Sequence, residues 1–297
     1  MLSQLIINSF ITGSIYALIA LSFAFIFAPT KYFNLAHGSF VVVGAYLYYT
    51  FHVSYAWPIW SAAAVTAVCV GFLGVLMYWL VFGPLRRKGS SSLVPMVASL
   101  GLVTIIQSVL ALIYGSHYKS IPGTSDIPTY TLLWGARITA IQLIIFGTAV
   151  GSCALLMWMT YHTKFGRSIV ALADSHDMAR IVGINPDRSI AWVFFIGAAL
   201  AGISGVLVAY DIGVEPAMGM ELLLKGAISS IIGGLGTLWG AIGGGFILGT
   251  IENFGIYRLP VEWKSAIAFV VLVLFLLVRP QGLFKKGQQD IEPRNKV

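Results

Sequence analysis

Charged side chains are scarce in this chain: 18 Lys or Arg and 11 Asp or Glu among 297 residues, 10% in all, where soluble domains carry about a quarter. With 58% hydrophobic residues and a mean hydropathy of +0.87, the missing charge excludes a water-soluble fold, because so much apolar surface needs lipid to cover it. Cysteine is nearly absent. Cys69 and Cys153 both lie inside apolar runs, which excludes a disulfide framework and a metal-ligand spacing and leaves small core-packing residues. No H-E-x-x-H and no His, Cys and carboxylate cluster stands at metal spacing. No G-x-x-x-x-G-K-[ST] loop occurs either. Gly233–Gly240 is glycine-rich, but no Lys follows it, so the chain cannot hold the phosphates of ATP in that mode. No basic stretch precedes the first apolar run and no A-x-A site follows it, so Leu5–Phe27 reads as a retained span and not a cleaved signal.

What is present is a series of apolar runs: Leu5–Phe27, Leu35–Val53, Trp57–Phe82, Leu93–Tyr114, Ile138–Thr160, Ile190–Ile212, Leu222–Ile251 and Leu259–Val278. Most can cross ~30 Å of hydrocarbon at ~1.5 Å per residue, and backbone without water to bond must be helical there. The expectation is an all-α polytopic membrane protein of about seven to eight transmembrane helices, one transmembrane domain over 1–297. Placing Arg86-Arg87-Lys88 in the cytoplasm puts the N-terminus outside, the loop Gly115–Arg137 outside and the polar stretch His162–Arg188 inside. The tail Arg279–Val297 carries five more basic residues and also belongs inside, its last part, 285–297, as a short polar cytoplasmic tail. Trp57, Trp60, Trp134 and Trp263 then sit near outer ends, as an aromatic belt would.

That placement creates a parity conflict, since three straight crossings after the polar stretch would leave the tail outside. Leu222–Ile251 resolves it. It carries Gly233-Gly234-Leu235-Gly236, then Gly240, Gly243, Gly244, Gly245 and Gly249, and glycines this dense weaken one continuous helix. A broken or re-entrant helical hairpin turning near Gly233–Thr237 is expected, tolerated because it is buried in protein or lines a cavity. A straight span, with another run failing to cross, is the alternative. On this map 13 of the 18 Lys and Arg are internal. No Asp or Glu lies mid-span: Asp211, Glu215, Glu221, Glu252 and Glu262 fall at or beyond outer ends, which argues against a proton-driven carrier and leaves a sodium-driven one using backbone carbonyls open. Gly202-Ile203-Ser204-Gly205 has the look of an intramembrane serine protease motif. Such a serine needs a later His as base, and none of His37, His52, His117, His162 and His176 follows it, so it reads as helix packing.

The most informative stretch is the polar island His162–Arg188. Apolar residues at helical spacing (Ile169, Val170, Leu172, Ala173, Ile181 and Val182) predict two short helices, about Arg167–Ala173 and His176–Val182, with a break at Asp174-Ser175. Ser175 fits an N-cap with Asp177 in the first turn, Gly183 fits the closing position, and Pro186 discourages continuation. Such a helix can lie on lipid, join two spans, or dock in a groove on a soluble partner.

At this point the residues resemble a known family. Lys164-Phe165-Gly166-Arg167, Ala171, Asp177, Ala179, Gly183-Ile184-Asn185 and the run from Gly197 to Leu207 are similar to the membrane permeases of branched-chain amino acid ABC importers, in particular the H-type (LivH-like) subunit. Asn34-Leu35-Ala36-His37-Gly38, the glycine-rich segment with Glu252, and Arg279-Pro280-Gln281-Gly282-Leu283-Phe284 extend the likeness along the chain. Ser168, Ser39 and Leu35 depart from the family pattern, which bears on the solute. The resemblance implies a transport subunit of a bacterial inner membrane and no enzyme. Its partners would be an M-type permease forming a heterodimer, two ABC ATPases that bind ATP-Mg, an extracytoplasmic solute-binding protein and lipid, with no nucleic acid and no cofactor or metal on this chain. The 162–188 segment would be the coupling segment, with His176–Val182 in the ATPase groove, Arg167 and Asp177 in polar contact, and Asp174, His176, Ala179, Arg180 and Gly183 as further coupling positions. The solute would be a branched-chain or other neutral amino acid, a short amide or urea. A zwitterion suits half-helix ends, so Asn34, His37, Gly38, Gly233, Gly234 and Gly236 are candidate pathway residues. A stand-alone secondary transporter or channel is the alternative.

Overall fold

The computed structural model describes residues 2–122, 129–131, 136–279 and 281–284. Twelve α-helices account for nearly all of it: α1 (Leu2–Thr30), α2 (His37–Tyr49), α3 (Ile59–Met77), α4 (Gly83–Arg87), α5 (Leu93–Tyr114), α6 (Ala140–His162), α7 (Lys164–Asp174), α8 (His176–Ile181), α9 (Pro186–Asp211), α10 (Met218–Gly233), α11 (Leu238–Gly255) and α12 (Lys264–Val278). π-helical turns extend α2 through Ser54 and join α3 to α4. Two three-residue strands, β1 (Thr129–Thr131) and β2 (Arg137–Thr139), pair antiparallel. Trp134, the parts 123–128 and 132–135 of the loop that holds it, and the predicted tail 285–297 lie outside the described residues.

By length and composition six helices can cross a membrane, and the bent pair α10–α11 is a seventh candidate. The run Leu35–Val53 does not join them. Three tyrosines and two histidines dilute its hydropathy, and α2 starts inside the protein at His37, a fully buried residue. Burial sorts the rest. α1 and α9 are the core, their faces filled by Leu18, Ile19, Leu21, Phe194 and Ala201. α5, α6 and α12 turn Leu112, Leu155, Leu277 and Val278 outward, the surface lipid or a membrane partner covers.

Contacts fix which ends share a face. On one face lie the end of α1, Arg86 of α4, the island, and the turn between α10 and α11: the Pro29 carbonyl and Arg86 both act on His176, and Phe27 approaches Gly236. On the opposite face Gln4 at the start of α1 binds the Arg137 backbone at 2.8 and 3.0 Å, Lys119 pairs with Val214, and Tyr48 meets Tyr210 at 2.6 Å. The Arg86-Arg87 loop and the island therefore share a side, as the parity argument requires.

The predicted break in the glycine-rich run is present. α10 and α11 are bent by 115° across the break, with positive φ at Gly234 and Gly236. A Cβ on Gly233 would strike the Gly240 carbonyl, so the limbs meet where only glycine fits. The hairpin is deeper than a shallow dip, since its turn reaches the island face. Ser204 donates to its own helix at the Leu200 carbonyl, 3.0 Å away, and Gly202 rests on Val70, which is the packing role expected. Cys153 is buried but Cys69 is exposed on α3, which corrects its assignment to the core.

Candidate functional site

The island is built from local caps. Thr163 is extended and its hydroxyl accepts the Gly166 N–H at 3.0 Å, starting α7. That cap explains why α7 begins at Lys164, earlier than the apolar spacing predicts. Gly166 lies so close to the carbonyls of Met159 and Thr160 that any Cβ would collide, which keeps the α6–α7 corner tight. α7 buries Ile169 and Leu172. Ser175 ends it and caps α8, accepting from Met178 N–H. α8 closes on Gly183 at φ +84°. Gly183 N–H donates to the Arg180 carbonyl and Ile184 N–H to the Ala179 carbonyl, each at 3.0 Å, a Schellman closure. The Asn185 side chain then caps α9 through Arg188 N–H at 3.2 Å, with Pro186 in its first turn.

Of the coupling positions, Arg167, Asp174, Asp177, Arg180 and Gly183 stand exposed and His176 is half-buried. Ala179 is 1% exposed; it seats α8 on the protein's own body and is not available to a partner. Burial, then the Arg86 charge, holds the His176 imidazole below its ordinary pKa of 6.5; Arg180 adds to this, while the Pro29 carbonyl and Asp177 oppose it. The apolar residues of α8 were underweighted by sequence reasoning. Met178, Ile181 and Val182 are 66, 77 and 72% exposed, a greasy knob on a face rich in charge. The readable signal is three large apolar residues within five positions of an otherwise charged segment. Asp187 was missed as well. It accepts from Tyr78 at 2.9 Å and Arg87 at 3.2 Å, with Arg86 at 3.8 Å, and so ties the α3–α4 end to the start of α9.

The island faces the hairpin across a gap. A cavity of about 370 Å³ lies between α7 (Val170, Asp174), α1 (Ala28) and the hairpin turn (Gly236, Trp239). Residues 281–284 staple that turn: Leu283 N–H donates to the Ile232 carbonyl at 2.9 Å and Phe284 N–H to Gly233 at 3.0 Å, satisfying acceptors that a helix end leaves open.

The candidate pathway residues separate into two places. Gly233, Gly234 and Gly236 form the turn on the island face. Asn34, His37 and Gly38 lie at the other end of α10, where Gly38 crosses Gly219 in near contact. Asn34 and His37 are 1 and 0% exposed. His37 Nε2 is 2.9 Å from the Ser22 hydroxyl, and the Asn34 side-chain oxygen accepts the Ala36 N–H at 3.0 Å. A second polar cluster lies near the outer ends where the sequence places the carboxylates, and it encloses one of them. Glu252 is fully buried within α11. It accepts from the Tyr16 hydroxyl at 2.7 Å and has Lys264 at 3.7 Å, while Lys225, itself 7% exposed, pairs with Glu221 at 2.7 Å. Partners on α1, α10 and α12 make its burial tolerable. Among the described residues no group of His, Cys and carboxylates could hold a metal.

Fold and site define the class: a polytopic, all-α membrane protein with a capped helical elbow on one face and a broken helix at its centre. The chain belongs to the family of branched-chain amino acid transport system permease components, whose model matches residues 5–276. It is similar to the high-affinity branched-chain amino acid transport system permease protein LivH of Escherichia coli K12, 30% identical over 97% of this chain and 96% of that protein. The corresponding protein BraD of Pseudomonas aeruginosa is 29% identical over 97% of each chain. The autoinducer 2 import system permease LsrC of Escherichia coli is 27% identical over 76% of this chain and 64% of its own length. No solved structure matches the chain.

Proposed function

We propose that this chain is a permease subunit of an ATP-binding-cassette importer that moves branched-chain or other neutral amino acids, or a small amide or urea, inward across the bacterial inner membrane. Two ATPase subunits bind ATP-Mg and grip 162–188 from the cytoplasm, an M-type permease completes the pathway, and a solute-binding protein delivers outside. The N-terminus is external and the tail cytoplasmic. The observation that carries the reading is the apolar knob of Met178, Ile181 and Val182 on a helix capped at both ends and ringed by Arg167, Asp174, Asp177 and Arg180. Large apolar side chains exposed on a charged, water-facing element mark an interaction surface, and an apolar helix face entering a groove is a standard mode of recognition. Among the described residues the elbow packs on α6, α1 and α9, so its movement acts first on those spans. A groove that closes on ATP supplies the differential contacts a conformational shift needs.

The test is purification from native membranes in mild detergent, with uptake measured in reconstituted vesicles. ATPases co-purify and uptake requires ATP. Arg180→Glu leaves insertion intact and lowers coupled uptake about tenfold or more, the scale of a mispaired charge at an interface. Solute flux through the purified subunit alone would establish the stand-alone transporter instead.

A further inference from the structure

The two central helices carry matching attachments. α11 lies on α1, with Gly245 against Ala17 and Gly249 against Gly13; α3 lies on α9, with Gly74 against Phe194 and Ala198. Positions 194 and 198 follow 13 and 17 by the same 181 residues. α10 leans on α1 through Gly226 at Ile19, and α2 leans on α9 through Gly205 at Val41. α1 runs toward the island face and α9 away from it, so the two triplets α1–α2–α3 and α9–α10–α11 are inverted copies. The same offset aligns Asn34-Leu35-Ala36-His37-Gly38 with Glu215-Pro216-Ala217-Met218-Gly219. Each of these segments leads into a helix that starts inside the protein, and the starts cross at Gly38 and Gly219, where a Cβ on Gly38 would overlap the Gly219 carbonyl.

This crossing is a polar focus that the packing does not use up. No side chain caps α2 at Ala36 or α10 at Ala217. Asn34 Nδ2 and His37 Nδ1 are buried without a hydrogen-bond partner, although burying such groups unpaired destabilises a fold. A narrow cleft beside the crossing, between α2, α5 and α10, is lined by Ser39, Gln107, Gly219 and Met220. Two helix N-termini carry partial positive charge, and inverted repeats with broken helices place their solute sites where the breaks meet.

We propose that the carboxylate of the transported solute docks at the α2–α10 crossing, received by the helix starts and by Asn34, with Gln107 at the cleft's edge. This rests on the amino-acid reading above. The test uses ATP-dependent uptake of labelled L-leucine into vesicles holding the complete transporter, with ATP hydrolysis and subunit content measured alongside. Asn34→Asp keeps the oxygen that accepts the Ala36 N–H and replaces the free donor by negative charge; uptake falls about tenfold or more, because like charges then oppose each other. Gln107 is exposed on α5, and subunit content reports whether each variant inserts. Gln107→Glu lowers uptake several-fold more than Gln107→Lys does, a dependence on sign that a structural role lacks. Uptake that is unchanged in Asn34→Asp, or that falls equally in both Gln107 variants or in neither, overturns the assignment. Wild-type vesicles that hydrolyse ATP yet accumulate no neutral amino acid overturn the amino-acid reading itself, and the docking site with it.

Discussion

Glycine decides more here than any charged residue, and its effect depends on what faces it. Gly245 lies against the backbone of Ala17, whereas Gly101 in α5 has nothing within 4 Å. Gly245→Val should destabilise the protein by about 1–3 kcal/mol, the usual cost of overpacking. Gly101→Ala should be neutral or stabilise by up to about 1 kcal/mol, the helix-interior difference between the two residues. Thermal unfolding of both variants in the same detergent checks the contrast. Tyr16→Phe leaves one oxygen of buried Glu252 without its donor; a loss of about 1–3 kcal/mol is expected, read as a lower midpoint in the same assay. Glycine density was legible in the sequence, but the partner of each glycine was not, because contacts such as Gly245 with Ala17 join residues far apart in the chain. The burial of Glu252 was not legible for the same reason. Its neighbours in sequence lie near an outer helix end, while the residues that enclose it come from α1, α10 and α12.

Elements defined by local hydrogen bonds were read well, and those defined by tertiary packing were not. Ser175, Gly183 and Pro186 marked the limits of α8 within a residue because caps are short-range chemistry. α2 was read as part of a full span from Leu35. A hydropathy run carries no mark of the depth at which its helix begins, and α2 begins inside the protein on a turn made by Asn34. The seat of α8 has a pH dependence. His176 is kept neutral by burial and by Arg86, with Arg180 alongside and with the Pro29 carbonyl and Asp177 opposing. A histidine whose pKa is lowered on docking contributes stability that is full above its ordinary value of 6.5 and is lost as pH falls through that value toward the lowered one. Amide exchange over residues 176–182, corrected for intrinsic rates, should therefore rise at pH 5.5 relative to 7.5. His176→Gln should flatten the difference; an equal rise in the variant would assign it to another group.

At the scale of the whole molecule, composition settled the class and charge placement settled which loops share a face; the contacts of Phe27 with Gly236 and of Arg86 with His176 agree with it. The inverted pairing of α1–α2–α3 with α9–α10–α11 was not read from the sequence, since the copies share only scattered small or apolar residues, such as Ala17 with Ala198, Ala20 with Ala201, Ala36 with Ala217 and Gly38 with Gly219. It follows from geometry, as does the seat of the elbow on α6, α1 and α9. The central claim is that the α8 knob is held by a cytoplasmic motor. The direct measurement is disulfide or short-linker crosslinking from a single cysteine at Met178 or Ile181, in a background with Cys69 and Cys153 replaced, carried out in native membranes. Crosslinks to an ATPase subunit, with no labelling by an impermeant thiol reagent added to intact cells, are the predicted result. Labelling of Met178→Cys from outside the cell, or a knob that crosslinks to no partner in actively transporting membranes, would contradict the account.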